Sequence, residues 1–234
     1  MIDIPIRGEL WDNDSSDVLR WWGWRDITAP MDIEQALRDA GGDDVTVLVN
    51  SPGGDMAVGG EIRSMLRRYS GNVTALIQGH AASAATLAIS ACKVIQCEPG
   101  ALLCYHNPSG AAEGDYREMR HTAAGLLNAR DCILEMYEAR GGTKPRDELI
   151  KLLDRDMWIT PTEAKEYGLI DEIVALEDAG GDPAAFVAAA DGRIRLTAHM
   201  RKEYQAHVAA ERERAAADDK ARRARARLRA LANF

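Results

Sequence analysis

Short runs of β-branched and apolar residues alternate with helix-forming segments in the first 175 residues, and glycine-containing turns separate them. Residues 45–49 (Val-Thr-Val-Leu-Val) form one such run, and residues 73–77 (Val-Thr-Ala-Leu-Ile) form the next. Between them lie the turn Asn-Ser-Pro-Gly-Gly at residues 50–54 and a segment with apolar residues at helical spacing. Strands and helices that alternate in this way are typical of parallel sheets with helical crossovers. The sequence therefore predicts an α/β fold with a mainly parallel, buried sheet.

The same patterns predict the remaining elements, each bounded by glycine, proline or a capping residue. Further strands are expected at residues 2–6, 93–97, 101–105 and 169–174, and further helices at residues 31–40, 116–140, 145–154 and 160–168.

Charge divides the chain into two parts. The whole sequence has 29 Lys and Arg against 37 Asp and Glu, a formal charge of −8. Residues 200–234 hold ten basic and five acidic side chains, a charge of +5, which leaves −13 for the rest. The breaker-rich stretch at residues 179–183 marks a boundary before this basic segment. We therefore predict one domain over residues 1–178 and an Ala- and Arg-rich tail, helical or flexible, over residues 179–234.

Several classes of protein are excluded. No run approaches the roughly 18 apolar residues that a membrane span needs, and the N-terminus lacks the layout of a signal peptide, so we expect a cytoplasmic protein that does not enter membranes. The cysteines have neither disulfide-framework nor zinc-site spacing, so we expect four buried, reduced thiols and no metal or cofactor. They are Cys92, Cys97, Cys104 and Cys132.

Ser83 stands where a glycine turn changes to strong helix formers. One interpretation is a helix N-cap, because a serine side chain accepts a hydrogen bond from a free N–H of the first helical turn. The other is a nucleophile at a helix N-terminus, where free N–H groups stabilise developing negative charge. The local sequence favours the cap, and only the remaining motifs favour the nucleophile.

Two further polar groups lie at the ends of predicted elements. His106 directly follows a strand and Asp156 directly follows a helix. Serine, histidine and aspartate together can act as nucleophile, general base and the group that orients the base. The glycine pair Gly53-Gly54 can supply one donor to an oxyanion, because glycine lets backbone approach a substrate closely, and the backbone N–H of Ala84 can supply another.

Other residues could play these roles. His80 lies three residues before Ser83, but packing in the turn is the favoured explanation for it, and the remaining histidines lie in the long helix or near or in the tail. A Ser-Lys dyad would need a lysine near Ser83, and the nearest in sequence is Lys93, which begins a predicted strand.

Four ordered motifs resemble those of the Clp protease proteolytic subunit (ClpP) family, over about residues 2–175. They are Asn-Ser-Pro-Gly-Gly at residues 50–54, Gly-His-Ala-Ala-Ser-Ala at 79–84, His-Asn-Pro at 106–108, and the segment from Arg155 to Asp171. The resemblance implies that Ser83 is the nucleophile, His106 the base and Asp156 the third member, with Gly54 and Ala84 as oxyanion donors. It also implies a ClpP/crotonase-like fold that acts on protein substrates.

The resemblance extends to assembly. The loop at residues 109–115 and the helix at 116–140 are similar to the handle by which rings of this family meet face to face, so a ring-shaped homo-oligomer is implied. Subunits that dock an unfolding ATPase carry an N-terminal extension with axial loops, whereas this chain enters its first strand almost at once. We therefore do not expect ATPase docking, although a housekeeping ClpP peptidase that works with an unfoldase is the alternative.

Some details look like the phage-encoded branch of the family, the ClpP-related head maturation proteases. They are Trp-Trp-Gly-Trp at residues 21–24, the His-Asn-Pro and Trp-Ile-Thr forms of two motifs, and the basic tail. This likeness implies cleavage of scaffold or capsid precursors, in the host cytoplasm or inside the prohead.

The tryptophans and the tail also have simpler interpretations. Trp21, Trp22 and Trp24 are expected to pack in the core or at a subunit interface, and Trp158 under the triad. The arginines of residues 222–229 could bind nucleic acid, but a solvated helix or a tether to capsid proteins is favoured, because no aromatic residue interrupts them. Two alternatives belong to other classes of function. The same fold serves acyl-CoA chemistry in other enzymes, and a structural ring without activity is the further alternative.

Overall fold

The computed structural model describes residues 2–175, and the boundary and tail predicted beyond residue 178 lie outside the described residues. The strands are β1 (Ile2–Leu10), β2 (Ile27–Thr28), β3 (Val45–Gly54), β4 (Val73–Ala82), β5 (Val94–Cys97), β6 (Leu102–Cys104), β7 (Trp158–Ile159) and β8 (Glu172–Ile173). The helices are α1 (Asn13–Trp21), α2 (Pro30–Ala40), α3 (Met56–Arg68), α4 (Ala84–Ile89), α5 (Tyr116–Ala139), α6 (Arg146–Arg155) and α7 (Pro161–Glu166).

One sheet organises these elements in the order β2-β1-β3-β4-β5-β8, and all of these neighbours are parallel. Helices connect most successive strands, as parallel pairing requires. The side chains of β1, β3 and β4 that point inward are apolar and almost fully buried, such as Ile4, Val47 and Ala75. The predicted α/β fold with a mainly parallel, buried sheet is confirmed.

Strand β4 changes its partner along its length. Residues 74–77 pair with β5, whereas residues 80–82 pair with β6. Strand β6 in turn pairs with β7, and this is the antiparallel pair of the sheet. The sheet therefore forks at the carboxyl end of β4, and the fork brings the ends of three strands together.

Helices α3 and α4 pack closely beside this fork. A Cβ atom on Gly59 of α3 would lie 2.6 Å from the carbonyl oxygen of Ala84 at the start of α4. No side chain can stand at that position without moving one of the helices. The glycine thus fixes how near α3 comes to the first turn of α4.

The structure differs from the sequence-based expectations at the N-terminal end. Helix α1 and strand β2 were not predicted, because residues 11–26 mix tryptophan with aspartate and serine and have no clear apolar period. The expected core packing of their tryptophans is wrong, since Trp21 is 83% exposed, and Trp22 and Trp24 are also exposed. Packing at a subunit interface stays a prediction. Among the cysteines, Cys132 is exposed on α5 rather than buried.

Candidate active site

The turn between β4 and α4 holds Ser83 in an unusual backbone conformation, with φ 53° and ψ −129°. Positive φ is uncommon for a residue other than glycine, and it persists only where the surroundings enforce it. The Ser83 N–H donates to the Cys104 carbonyl of β6 at 3.0 Å. Its side chain makes no capping hydrogen bond, so the N-cap interpretation is wrong. The hydroxyl is therefore available for other chemistry.

The strand registers bring His106 and Asp156 towards this turn. Ala82 of β4 is paired with Cys104 of β6, so the residues that follow both strands leave the sheet side by side. Cys104 is also paired with Trp158 in the antiparallel β6–β7 ladder. Extended two residues beyond the ladder, this register would put His106 opposite Asp156. The sheet fork thus brings the backbone positions of all three predicted residues to one edge.

A small pocket lies at this edge. Ser83, Ala84 and His106 line it together with apolar side chains. The other lining residues are Met56, Leu87, Asn107, Pro108, Ile133 and Tyr137. The pocket therefore places a serine and a histidine beside an apolar surface.

His106 does not complete a proton relay in this structure. Its Nδ1 atom lies 2.7 Å from the carbonyl oxygen of Asn107. Among the hydrogen bonds of residues 2–175, none joins His106 to Ser83 or to Asp156. Catalytic hydrogen bonds are often long or poorly aligned in unliganded proteins. A Ser-His-Asp relay here requires the imidazole to turn from Asn107 towards Asp156.

Asp156 caps the end of α6 in the left-handed conformation, with φ 46°. Its charge contributes, after burial, to the raised pKa of the Cys104 thiol, which places the carboxylate close to the end of β6. The neighbouring Asp154 is engaged differently, since its Oδ1 accepts a hydrogen bond from Asn107 Nδ2 at 2.8 Å. Two carboxylates therefore flank the histidine loop, and only Asp154 already has a partner there.

The two turn glycines have different environments. The Gly53 N–H donates to Ser51 Oγ at 3.1 Å, so Gly54 is the better candidate for a free oxyanion donor. A Cβ on Gly53 would lie 2.7 Å from the Ser83 Cβ, and one on Gly54 would lie 2.3 Å from the Leu10 carbonyl oxygen. Ala84 lines the pocket, whereas Gly54 is not one of its lining residues. The sequence analysis selected Gly53 as part of the glycine pair, but not for its contact with Ser83, where its lack of a side chain makes room for the turn.

Ser51 stabilises the glycine turn from beneath. Its side chain is fully buried, and its hydroxyl donates to the Gly8 carbonyl at 2.6 Å while it accepts the Gly53 N–H. Strand β1 therefore supports the turn of β3 directly through a hydrogen bond.

The alternative bases fit less well. The His80 ring packs edge-on against Trp158 with ring centroids 5.9 Å apart, and burial lowers its pKa. Trp158 therefore contacts His80 and is half exposed, rather than being packed under the triad. Lys93 bonds to Asn72 beside the start of β4. Since Ser83 follows the other end of that ten-residue strand, about 30 Å separates the lysine from the serine.

Two buried hydroxyl groups behind Ser83 were also missed by sequence reasoning. Thr86 Oγ1 donates to the Ser83 carbonyl at 2.6 Å and lies 2.7 Å from the Tyr137 hydroxyl. No sequence signal could have paired them, because 51 residues separate threonine and tyrosine.

Within residues 2–175, no group of three or more His, Cys, Asp or Glu side chains could hold a metal ion. The helices of this part of the chain are all too short or too polar to cross a bilayer.

Comparisons with known proteins agree with this geometry. The family profile described as Clp protease matches residues 35–177. "ATP-dependent Clp protease proteolytic subunit 3" from Rhizobium meliloti is 33% identical over 141 residues, which cover 59% of this chain and 72% of that protein. The chloroplastic subunit 3 of Arabidopsis thaliana is 32% identical over 154 residues, or 64% of this chain and 50% of that protein.

Among solved structures, a ClpP1 mutant from Listeria monocytogenes superposes with a TM-score of 0.60 at 23% identity. The superposition covers 75% of this chain and 92% of that one. The likeness establishes that the two chains share a fold.

Proposed function

The chain belongs to the Clp protease family and is a serine-type peptidase, and from this premise we propose that Ser83, His106 and Asp156 are its catalytic residues. One observation carries the assignment. The paired ends of β4, β6 and β7 bring these three positions to one edge, where the Ser83 side chain makes no capping bond and lines an apolar pocket with His106.

The proposed chemistry is acyl transfer to serine. Ser83 Oγ attacks the scissile carbonyl carbon while His106 accepts its proton, and Asp156 stabilises the imidazolium. The N–H groups of Gly54 and Ala84 donate to the oxyanion of the tetrahedral intermediate. His106 then gives its proton to the leaving amine, and water hydrolyses the acyl-enzyme by the same steps. The apolar pocket wall at Met56, Leu87 and Ile133 favours an apolar residue before the cleaved bond.

Covalent labelling of the assembled protein with a fluorophosphonate probe tests the nucleophile. We expect one label on Ser83, and loss of labelling in His106→Ala. His121→Ala is the matched control, because this exposed histidine of α5 lies outside the pocket and should label normally. A folded, assembled chain without a label on Ser83 would contradict the assignment and would favour an acyl-CoA enzyme or an inactive ring.

The two carboxylates beside the histidine loop allow a second test. Asp156→Asn should lower kcat by about 10⁴, because the histidine loses the group that holds its tautomer. Asp154→Asn removes only the acceptor of the Asn107 side chain, so its effect should be far smaller. The opposite ranking would assign the third catalytic position to Asp154.

For the biological role, we propose a phage prohead protease that cleaves scaffold or capsid precursors as a ring-shaped homo-oligomer, in the host cytoplasm or within the prohead. This role is supported by a resemblance to the phage-encoded head maturation proteases, which is carried by residues 21–24, the His-Asn-Pro motif and the basic tail. Exposed apolar side chains on α5, such as Met119 and Leu127, support assembly. Incubation with a capsid precursor encoded beside this gene should produce defined fragments, which Ser83→Ala should not produce.

A housekeeping peptidase that works with an unfoldase is the second candidate, and it is favoured by the relatives, which are named as subunits of an ATP-dependent protease. The two roles differ in their need for ATP. Cleavage of a capsid precursor without any ATPase supports the prohead role, whereas cleavage of folded protein only with an unfoldase and ATP supports the second candidate.

A further inference from the structure

A line of three hydrogen-bonded groups connects α5 to the nucleophile turn. Thr86 Oγ1 lies within hydrogen-bond distance of both the Ser83 carbonyl oxygen, at 2.6 Å, and the Tyr137 hydroxyl, at 2.7 Å. A carbonyl can only accept, so the single hydroxyl proton of Thr86 goes to Ser83. The Tyr137 hydroxyl must therefore donate to Thr86. The direction of donation is fixed as Tyr137 to Thr86 to the Ser83 carbonyl.

Both side chains are shielded from solvent. Thr86 is 2% exposed and Tyr137 is 3% exposed, so water does not compete for these hydrogen bonds. Burial raises the pKa of Tyr137, so its hydroxyl keeps its proton at neutral pH and remains a donor. A hydrogen bond in such surroundings is stronger than one in water, and successive bonds polarise one another.

The Ser83 carbonyl and the Ala84 N–H belong to the same peptide group. This peptide is trans, because the described residues contain no cis peptide bond, so its N–H points away from its C=O. The Ser83 carbonyl also accepts the backbone N–H groups of Thr86, at 3.0 Å, and Leu87, at 3.4 Å. The Thr86 hydroxyl is a third and shorter contact that helps to fix the carbonyl, and with it the direction of the N–H on the other side of the peptide. Ala84 lines the pocket, and this N–H is the proposed oxyanion donor next to the nucleophile.

We propose that Thr86 and Tyr137 are positioning residues that orient and polarise the Ser83–Ala84 peptide for oxyanion stabilisation. The inference rests on the proposed function of Ser83 and adds two residues that do not touch the reacting atoms. Thr86 acts through the peptide group, and Tyr137 acts through Thr86.

Tyr137 also contacts the segment that carries the base. Its ring packs edge-on against Tyr105, with ring centroids 5.3 Å apart, and Tyr105 directly precedes His106. One side chain of α5 therefore reaches both the nucleophile turn and the end of β6.

The test uses the full-length, assembled protein and a fluorogenic peptide with an apolar residue before the cleaved bond. Thr86→Val keeps the shape of the side chain and removes the hydroxyl. We expect kcat to fall about tenfold with KM nearly unchanged, less than the 10²–10³ lost with a whole oxyanion donor. Thr86→Ser keeps the hydroxyl and should restore most of kcat. A peptide boronate, which mimics the tetrahedral intermediate, should lose affinity in parallel with kcat, while affinity for a product peptide should not change.

The double variant Thr86→Val/Tyr137→Phe separates positioning from simple packing. Thr86→Val alone leaves the Tyr137 hydroxyl buried without a partner, which should lower Tm. Removing both hydroxyls should restore Tm, while kcat stays as low as in Thr86→Val. Recovery of kcat together with Tm would show a merely structural role and would overturn the proposal.

Thr28→Val is the matched control. Thr28 is a buried threonine whose hydroxyl also donates to a backbone carbonyl, that of Arg7, and its strand β2 lies three places from β4 in the sheet. It should lower Tm and leave kcat unchanged. If the Ser83→Ala variant is inactive and the separate Thr86→Val variant keeps the wild-type kcat, only this inference is overturned. If the Ser83→Ala variant is active, the proposed function itself is overturned.

Discussion

The two halves of α5 belong to different environments. In the C-terminal half, Ile133, Leu134 and Tyr137 are buried in the core. In the N-terminal half, Tyr116, Met119 and Leu127 are large and apolar, yet all three are exposed, with Leu127 at 52%. One half packs against the protomer and contacts the catalytic turn, and the other half presents an apolar surface that this protomer does not cover.

The difference shows that amphipathic spacing alone does not say what a helix packs against. The apolar residues of both halves are similar in type, but the buried ones all lie beyond residue 132, in a helix that packs against α4 and α6 of the same chain. Arg140, directly after α5, anchors this end because its guanidinium donates to the Cys92 and Leu169 carbonyls and pairs with Asp171. The exposed half is the part of α5 that is free to meet other subunits.

The largest expected effect concerns the buried half. Leu134→Ala removes a fully buried side chain and leaves a cavity, so the free energy of unfolding should fall by about 2–5 kcal/mol. Chemical denaturation measures this change. Leu127→Ala is the matched control in the exposed half and should change it by less than about 0.5 kcal/mol. Equal losses would contradict the proposed division of α5.

A smaller effect on the protomer, but a clear effect on assembly, is expected in the exposed half. Leu127→Asp puts a charge on the apolar surface and should shift the oligomer towards smaller species, because charges are depleted from interface cores. Analytical ultracentrifugation over a concentration series measures the shift, and circular dichroism should show an unchanged fold. Unaltered assembly would exclude Leu127 from the interface.

The smallest effect is a dependence on alkaline pH. Burial raises the pKa of Tyr137 above its ordinary value near 10. Its protonated form therefore stabilises the fold fully below pH 10, and this contribution is lost as pH rises further, because only the unfolded chain ionises readily. Tyr137→Phe should flatten the fall in Tm above pH 10. Tyr116→Phe, in the exposed half, should leave the pH profile as in the wild type.

Local patterns in the sequence predicted most elements because β-branched runs, capping residues and glycine turns act over a few residues. The strands at 45–49 and 73–77 and the long helix at 116–140 follow directly from such signals. The Pro-Gly-Gly turn and the turn-to-helix junction at Ser83 are visible in the same way, but the local sequence there favours a helix cap, and only the other motifs select Ser83 as a nucleophile.

What escaped prediction depends on contacts between distant segments. The two-residue strand β7 exists only because β6 offers it a partner. The contact of Thr86 with Tyr137 requires α5 to lie against α4, which neither segment specifies alone. The exposure of Trp21 could not be inferred either, because a tryptophan carries the same signal in a core and on a surface. The catalytic roles of Ser83, His106 and Asp156 stay predictions, and for Asp156 the comparison of Asp156→Asn with Asp154→Asn is the test.

The change of partner along β4 has a consequence for how the molecule opens. Residues 74–77 are paired with β3 on one side and β5 on the other, whereas residues 80–82 are paired with the short β6 and with β3 only at Ala81. The amide hydrogens of the second group can exchange with solvent through a local opening that leaves the first group protected. This edge of the sheet can therefore loosen and close again many times while the body of the protein stays folded.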